Sequence, residues 1–482
     1  MLLNFFKKHF VVLSVIALFI IAKILLFDTY FFWDSISGLS CPALFLYENN
    51  FSSLNFPLSV VDDNLCLTSL LAVLWKIFGK NLIVSHVFFM FIGVALIYNL
   101  YKLCRFFISD KKILPFIFIL VISDAALVTQ SLLLMTDAVM LLFAVMSTNY
   151  MLRNKRIAFS LSLLGLSLIR ARGINLCVGI GFCYFIFLLH NNNWKQPLRV
   201  FINAIIPFIP AILAIIGLIA IRSFAYNEFT LSRKDPAWPN ALSLVDLKGF
   251  AKNVFVMARF FLETGRIFIW ITFLFLFIKF RKNFFTNDVS ILWLLFAGSL
   301  LFLIPVTLFV QNTMGARYFI FQYILISLIT GIILFYSLKI KTAQIVSILL
   351  IVGLWTGHLW QYPEKISVSW DTTLAHLPYY ELRQEMLQYV DEQQLDYSET
   401  AFFPAIRKNS EMDLSDDNRT FAYFDLKNNK YIFYSNIGNF PDDIIDSLKT
   451  WHLEKEFRKN FIFIKLYKNP LYVTNSNYSG KP

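Results

Sequence analysis

FVVLSVIALFIIAKILLFDTYFFWD, residues 10–34, begins with a run from Phe10 to Phe27 that contains no acid and a single lysine, Lys23, and then meets Asp28 and Asp34. An apolar run of about 20 residues matches the hydrocarbon thickness of a bilayer. Lys7 and Lys8 stand before it, and basic residues favour the cytoplasmic end of a span, so Asp28 and Asp34 are expected to emerge on the outer side. The run resembles a signal peptide, but no small-x-small cleavage site follows, and it reads as a retained first helix.

The remainder of the chain has the same character. Of its 482 residues 57% are hydrophobic and 17% aromatic, with a mean hydropathy of +0.62, which excludes an ordinary soluble protein and implies a polytopic membrane protein. The net charge of +12 does not point to nucleic acid. Its basic residues form small groups between apolar runs rather than a patch with polar readers, as membrane topology requires. Residues 1–361 hold 29 Lys and Arg against 13 Asp and Glu, whereas residues 362–482 hold 14 against 18. The first part therefore reads as an all-α transmembrane domain and the last as a small extracytoplasmic α/β domain.

Eleven spans are expected, near residues 10–27, 82–101, 113–132, 136–152, 157–172, 173–190, 200–222, 265–280, 288–310, 317–337 and 343–361. With the N-terminus in the cytoplasm, every second connection is basic, and nine of the 13 acids fall in outer loops. The odd count puts the C-terminal domain outside. In the long first loop, Leu65 to Phe78 is amphipathic and too short to span, and reads as a helix in the membrane interface. A second long loop, 223–264, carries a Pro-rich turn at 235–239. In the tail, helices are expected at 378–389 and 441–450, with strands at 421–426, 430–434 and 461–467. Five cysteines lack metal-binding spacing; Cys41 and Cys66 would pair only in an oxidising compartment.

Ionisable groups at membrane depth cost roughly 2.5–3.5 kcal/mol each on insertion scales, so each needs a reason. Those expected near outer helix ends are Asp34, Asp137, Arg170, Arg172, Arg222, Arg266, Arg317 and His358. Guanidiniums suit a phosphate because they stay charged and bind two oxygens at once, and a nearby carboxylate suits deprotonation of an attacking hydroxyl. Blander readings stand beside these: Asp28 and Asp34 as solvated residues past a helix end, Asp124 and Asp137 as partners in structural ion pairs, Arg222 and Arg266 as snorkelling side chains. His358, between Trp355 and Trp360, fits an aromatic belt as well as a substrate contact. Asp62 and Asp63 are of a type that takes a divalent cation, although lone adjacent acids in a loop usually hold none. The tail shows no phosphate loop and no catalytic triad spacing.

Several stretches together resemble the membrane-embedded GT-C glycosyltransferases, within them the group of protein O-mannosyltransferases and the bacterial lipid A aminoarabinose transferase. They are the acid in a long first loop, the amphipathic run ending LWKIFG (74–79), LMTDAVMLLF (134–143), GLSLIRARG (165–173) and GARYFIF (315–321). Their order covers about the first 340 residues. The resemblance implies a polyprenyl-phosphate sugar donor, an outer-face active site and inversion at the sugar carbon. It maps Asp34 onto the probable general base, Asp137 onto the acid opening the fourth span, and Arg317-Tyr318 onto the Arg-Tyr of the late helix. Where many relatives have Asp-Glu, this chain has Asp34-Ser35, which lowers the expectation of a metal; the relatives' His-Pro-Pro corner is replaced around Asp63-Asn64-Leu65.

The expectation is an inverting glycosyltransferase in a bacterial inner membrane, acting on a glycan, lipid or protein acceptor, with no cofactor. Asp34 and Asp137 are the candidate catalytic acids and Arg170, Arg172 and Arg317 the phosphate holders. Asp63, Tyr318 and His358 are candidate substrate contacts. Rival readings are a flippase for lipid-linked sugars, with thin support from Lys23, Asp124, Pro207 and Pro210 inside apolar runs, and a polymerase or ligase using a lipid diphosphate.

Overall fold

The computed structural model describes residues 2–32, 34–57, 64–192, 194–226, 243–311, 314–366, 369–402, 414–415, 419–438 and 440–472. These residues divide into two compact units. One comprises Met1–Trp360 together with Asp371–Thr373, the other Gln361–Trp370 together with Leu374–Pro482.

The first unit is helical. It opens with α1 (Leu2–Ile24), followed in the first loop by a π-helical turn at Ile36–Ser40, α2 (Cys41–Glu48) and α3 (Leu65–Phe78). The expected interfacial helix thus occupies the residues read for it. It buries Leu67, Leu71 and Trp75 on one side and exposes Leu70, Val73, Ile77 and Phe78 on another, as a helix against lipid must. Cys41 and Cys66 remain free thiols.

Then come α4 (Leu82–Phe107), α5 (Leu114–Ile122), α6 (Ala125–Leu132), α7 (Thr136–Leu152), α8 (Arg156–Ile169), α9 (Ala171–Asn191), α10 (Pro197–Ile205) and α11 (Ile209–Tyr226). They are followed by α12 (Leu247–Leu262), α13 (Arg266–Phe280), α14 (Asn287–Leu308), α15 (Ile320–Ser337) and α16 (Ile340–Trp355).

Each of the eleven expected segments is helical, but fewer meet the requirements of a simple span. Among the described residues six helices are long and apolar enough to cross a membrane, or up to eight if each of two bent pairs counts as one. The first pair, α5 and α6, occupies the single span expected near 113–132 and bends by 69° at Ser123-Asp124. Asp124 turns away from helical geometry there, and its side chain accepts from the backbone N–H groups of Ala126 and Leu127, capping α6. In the second pair, α12 meets α13 at 86°. Gly265 makes this corner with φ +83°, and a Cβ there would lie 2.1 Å from the Gly353 carbonyl oxygen. The Pro-rich turn at 235–239 lies outside the described residues.

The bends share one ion pair. Arg266 Nε and Nη2 donate to Asp124 Oδ2 and Oδ1 at 2.6 and 3.0 Å, and Nη1 donates to the Phe260 carbonyl at 3.0 Å. The Tyr323 ring lies 3.7 Å from the guanidinium carbon. Both partners are buried, so Arg266 is a structural cation and not a snorkelling one.

The segment from Ala316 to Ser337 is the most enclosed of the six long helices, with 94% of its apolar window buried. Position, not composition, distinguishes it, since every neighbour is equally apolar in kind.

The second unit is a four-stranded sheet in the order β1-β2-β4-β3, formed by β1 (Thr400–Phe402), β2 (Tyr431–Ser435), β3 (His452–Lys459) and β4 (Ile462–Lys468). β1 runs parallel to β2, and the other pairs are antiparallel. α17 (Pro378–Glu392) packs on β3 and β4, and α18 (Asp442–Lys449) inserts Ile445 and Leu448 beside Ile432, Phe463 and Tyr467. The strand expected at 421–426 is absent: within it Ala422 makes only an isolated bridge to Ala401. β3 was not expected, because this edge strand reads His-Leu-Glu-Lys-Glu-Phe-Arg-Lys and buries no residue fully.

Because removing one member of a buried pair strands the other, Arg266→Met is expected to cost about 3–5 kcal/mol. Adding Asp124→Asn should recover part of that loss. Thermal unfolding of both variants in detergent checks this; equal stability of Arg266→Met and the parent protein would contradict it.

Candidate active site

The site is assembled where helices stop. Asp34 follows α1, in a turn in which Ser35 Oγ accepts from the Phe32 N–H at 2.8 Å and donates to the Phe32 carbonyl at 2.6 Å. Asn64 Nδ2 donates to the Gly38 carbonyl at 2.9 Å and fastens the same loop.

Asp137 lies in the first turn of α7, where the positive end of the helix dipole favours an acid. Just before it the chain is extended, and the exposed carbonyls ending α6 are met by Lys23, whose ammonium donates to Leu132 and Leu133. This uses the buried Lys23 of α1 as a brace, and no transport path is needed to explain it.

Arg170 alone joins α8 to α9, with φ −158° and ψ +159°. One residue suffices because Gly173 lets α9 approach α8 closely: a Cβ there would lie 2.1 Å from the Leu166 carbonyl oxygen. Arg172 follows in the first turn of α9. Arg317 and Tyr318 belong to a 3-10 turn, Ala316–Phe319, that leads into α15.

These elements bring five of the eight expected residues into ion pairs or stacking contact, with Tyr318 as the sixth. Asp137 accepts from Arg170 Nη1 at 3.4 Å and lies in ion-pair contact with Arg172 Nη1 at 3.1 Å and Arg317 Nε at 3.3 Å. Arg317 also pairs through Nη2 with Asp34. The Tyr318 ring lies 3.5 Å from the Arg172 guanidinium carbon, a cation–π contact. Asp137 keeps 2% of its side-chain exposure, Arg170 and Arg172 keep 15% each, and Asp34 keeps 45%. The open side therefore presents one carboxylate and two guanidiniums.

Of the remaining two expected residues, only His358 can be placed. Asp63 lies outside the described residues. His358 packs against Trp355, ring centroids 5.4 Å apart, within electrostatic range of Asp124 rather than among the residues around Asp137. Among the described residues, no group of three or more His, Cys, Asp or Glu has metal-holding geometry.

One site residue was missed. Asp371 pairs with Arg317 Nη1, so a carboxylate meets each of the three guanidinium nitrogens. Gln130 Nε2 donates to the Asp371 carbonyl at 2.7 Å. In the sequence Asp371 is one of 18 acids in the tail, and nothing beside it sets it apart.

Burial by itself would raise the Asp34 carboxyl, but Arg317, Arg170 and Arg172 outweigh it and hold it below the usual aspartate value. Asp34 is thus an ionised acceptor of protons or of donor groups.

The chain shares its fold with ArnT. Against the crystal structure of ArnT from Cupriavidus metallidurans bound to undecaprenyl phosphate, the alignment covers 97% of this chain and 99% of that one, with a TM-score of 0.55 and 9% sequence identity. The likeness extends as a shared fold over nearly the whole chain, and six helices among the described residues are long and apolar enough to cross a membrane. No family model matches the sequence, and no curated protein matches it. At 9% identity the shared architecture, not shared residues, is what ArnT establishes.

Since the folded-state value of Asp34 is depressed, its pairing contributes stability that is present above the unfolded value, about 3.9, and is lost as pH falls through the folded value. The difference in unfolding temperature between the parent protein and Asp34→Asn should be flat from pH 8 to about 5 and shrink only in stronger acid. A change centred near pH 6.5 would mean that another group controls it.

Proposed function

We propose that this protein is an inverting glycosyltransferase that moves a sugar from a polyprenyl-phosphate donor to a hydroxyl acceptor on the outer face of a bacterial inner membrane. The observation that carries the reading is the gathering of Asp34 and Asp137 with Arg170, Arg172 and Arg317 in one ion cluster, on the fold of ArnT, whose crystal structure is described as bound to undecaprenyl phosphate. The acceptor is a glycan, lipid or protein of the cell envelope.

In this reading the acceptor oxygen attacks the anomeric carbon, its proton passes to Asp34, and the bond from carbon to phosphate oxygen breaks. Polyprenyl phosphate leaves, and its phosphorus group goes from a monoanion to a dianion. Arg170 and Arg172 face that added charge from the half-open side. Stabilising it is the larger contribution, since a general base typically supplies about 10²- to 10⁴-fold.

Asp137 acts differently from Asp34. Almost wholly buried and in contact with all three arginines, it orients them and lets their charges be housed in a low-dielectric place. Tyr318 holds the plane of Arg172. The topology that goes with this reading has eleven crossings, a cytoplasmic N-terminus and the second unit outside, counting the short helices α1, α7 and α8 and both bent pairs as crossings.

Asp34→Asn in membranes supplied with undecaprenyl-phosphate sugar and envelope acceptor should lower turnover by roughly 10²- to 10⁴-fold, read as release of free undecaprenyl phosphate. Near-normal turnover would remove Asp34 from the role of base. Movement of intact donor across the membrane without release of undecaprenyl phosphate would instead support a flippase.

A further inference from the structure

Arg317 has a carboxylate within ion-pair distance of each of its three nitrogens. Its Nε, Nη1 and Nη2 meet Asp137, Asp371 and Asp34 in turn. Together with Arg170 and Arg172 the site holds three guanidiniums against three carboxylates, a formal balance of zero. A phosphodiester anion entering such a site gains little unless one carboxylate withdraws.

The three carboxylates are not equally able to leave. Asp137 is 2% exposed and carries Arg170 and Arg172 as well as Arg317, so its release would strand a buried charge. Asp34 is the base of the reaction proposed above, so its carboxylate is required at the site when the donor is bound. Asp371 sits in a short 3-10 turn, Trp370–Thr372, and its carboxylate pairs with Arg317 alone among the site's arginines. Its backbone is held separately, through the bond from Gln130 to its carbonyl, and Thr372 and Thr373 beside it are buried. Rotation about its side-chain bonds can release the carboxylate while the segment stays in place.

We infer that Asp371 is a built-in stand-in for the donor phosphate: its carboxylate occupies the Arg317 Nη1 position and gives it up to a polyprenyl phosphate. Carboxylate and phosphate both present an anionic oxygen to a guanidinium nitrogen, so one can replace the other at Nη1. The exchange sets affinity, because a ligand that needs Arg317 free is weakened by the fraction of time Arg317 is free. It also places the control of donor binding on a three-residue segment, Asp371–Thr373, that leaves the tail sequence to join the helical unit.

This inference rests on the donor proposed above, and the experiment separates the two. Binding of undecaprenyl phosphate to the full chain in lipid nanodiscs is measured for the parent protein, Asp371→Asn, Asp371→Ser and Asp371→Glu, with unfolding temperature as the check on folding. Asp371→Asn and Asp371→Ser should bind about tenfold more tightly, as expected if Arg317 is free about a tenth of the time, whereas Asp371→Glu, which keeps a competing carboxylate, should stay near the parent. If the parent binds and the Asn and Ser variants bind equally or more weakly, the stand-in role is overturned and the donor reading survives. Loss of folding in both variants would assign Asp371 a structural role and overturn it as well. If neither parent nor variants bind undecaprenyl phosphate, the donor reading falls and this inference falls with it.

Discussion

The ion cluster around Arg317 is the constraint on which the helical unit depends. A guanidinium that keeps 8% of its exposure needs compensating charge, and the compensation comes from three remote places: the first loop through Asp34, the start of α7 through Asp137, and the segment after the last helix through Asp371. Satisfying one side chain thus fixes three connections relative to the most enclosed helix of the unit. The same requirement brings Arg170 and Arg172 in, because Asp137 can serve all three cations from one buried position.

Helix ends supply the material. Backbone groups at a terminus lack partners within the helix, and in an apolar unit they must find them in side chains. Lys23 meets the carbonyls that end α6, Asp124 caps the N–H groups that begin it, and the single residue Arg170 carries the chain from α8 to α9. Charged side chains placed at helix ends in this way gather around Asp137, where Arg170, Arg172 and Arg317 meet it. Lys23 and Asp124 had given some weight to a transport path; both are occupied in holding the frame.

Two buried acid–arginine groups show how solvent access separates structure from chemistry. Asp124 and Arg266 are 1% and 3% exposed, bidentate and packed under Tyr323, which leaves nothing for a ligand to reach. Around Asp137 the inner carboxylate is equally hidden, but Asp34 at 45% and the two arginines at 15% open outward. Residue types are the same in both places, and only the surrounding helices differ.

The apolar runs, the helix at Leu65–Phe78 and the need of Asp34, Asp137, Arg170, Arg172 and Arg317 for partners near outer helix ends were legible in the residues, because hydrophobic length and the cost of burying charge act locally and leave a pattern along the chain, while Tyr318 entered only through the family resemblance. The bends at Asp124 and Gly265, the edge strand β3 and the place of Asp371 were not, since each is decided by what packs beside it. Arg266 looked like a snorkelling cation until Asp124, 142 positions away, was beside it. Asp371 carries no local mark at all: an acid in a charged tail becomes part of the site only when the folded chain returns it to Arg317. The sequence determined which side chains required partners, and tertiary structure decided which partners they found, because the energy of a buried charge depends on distance in space and not on distance along the chain.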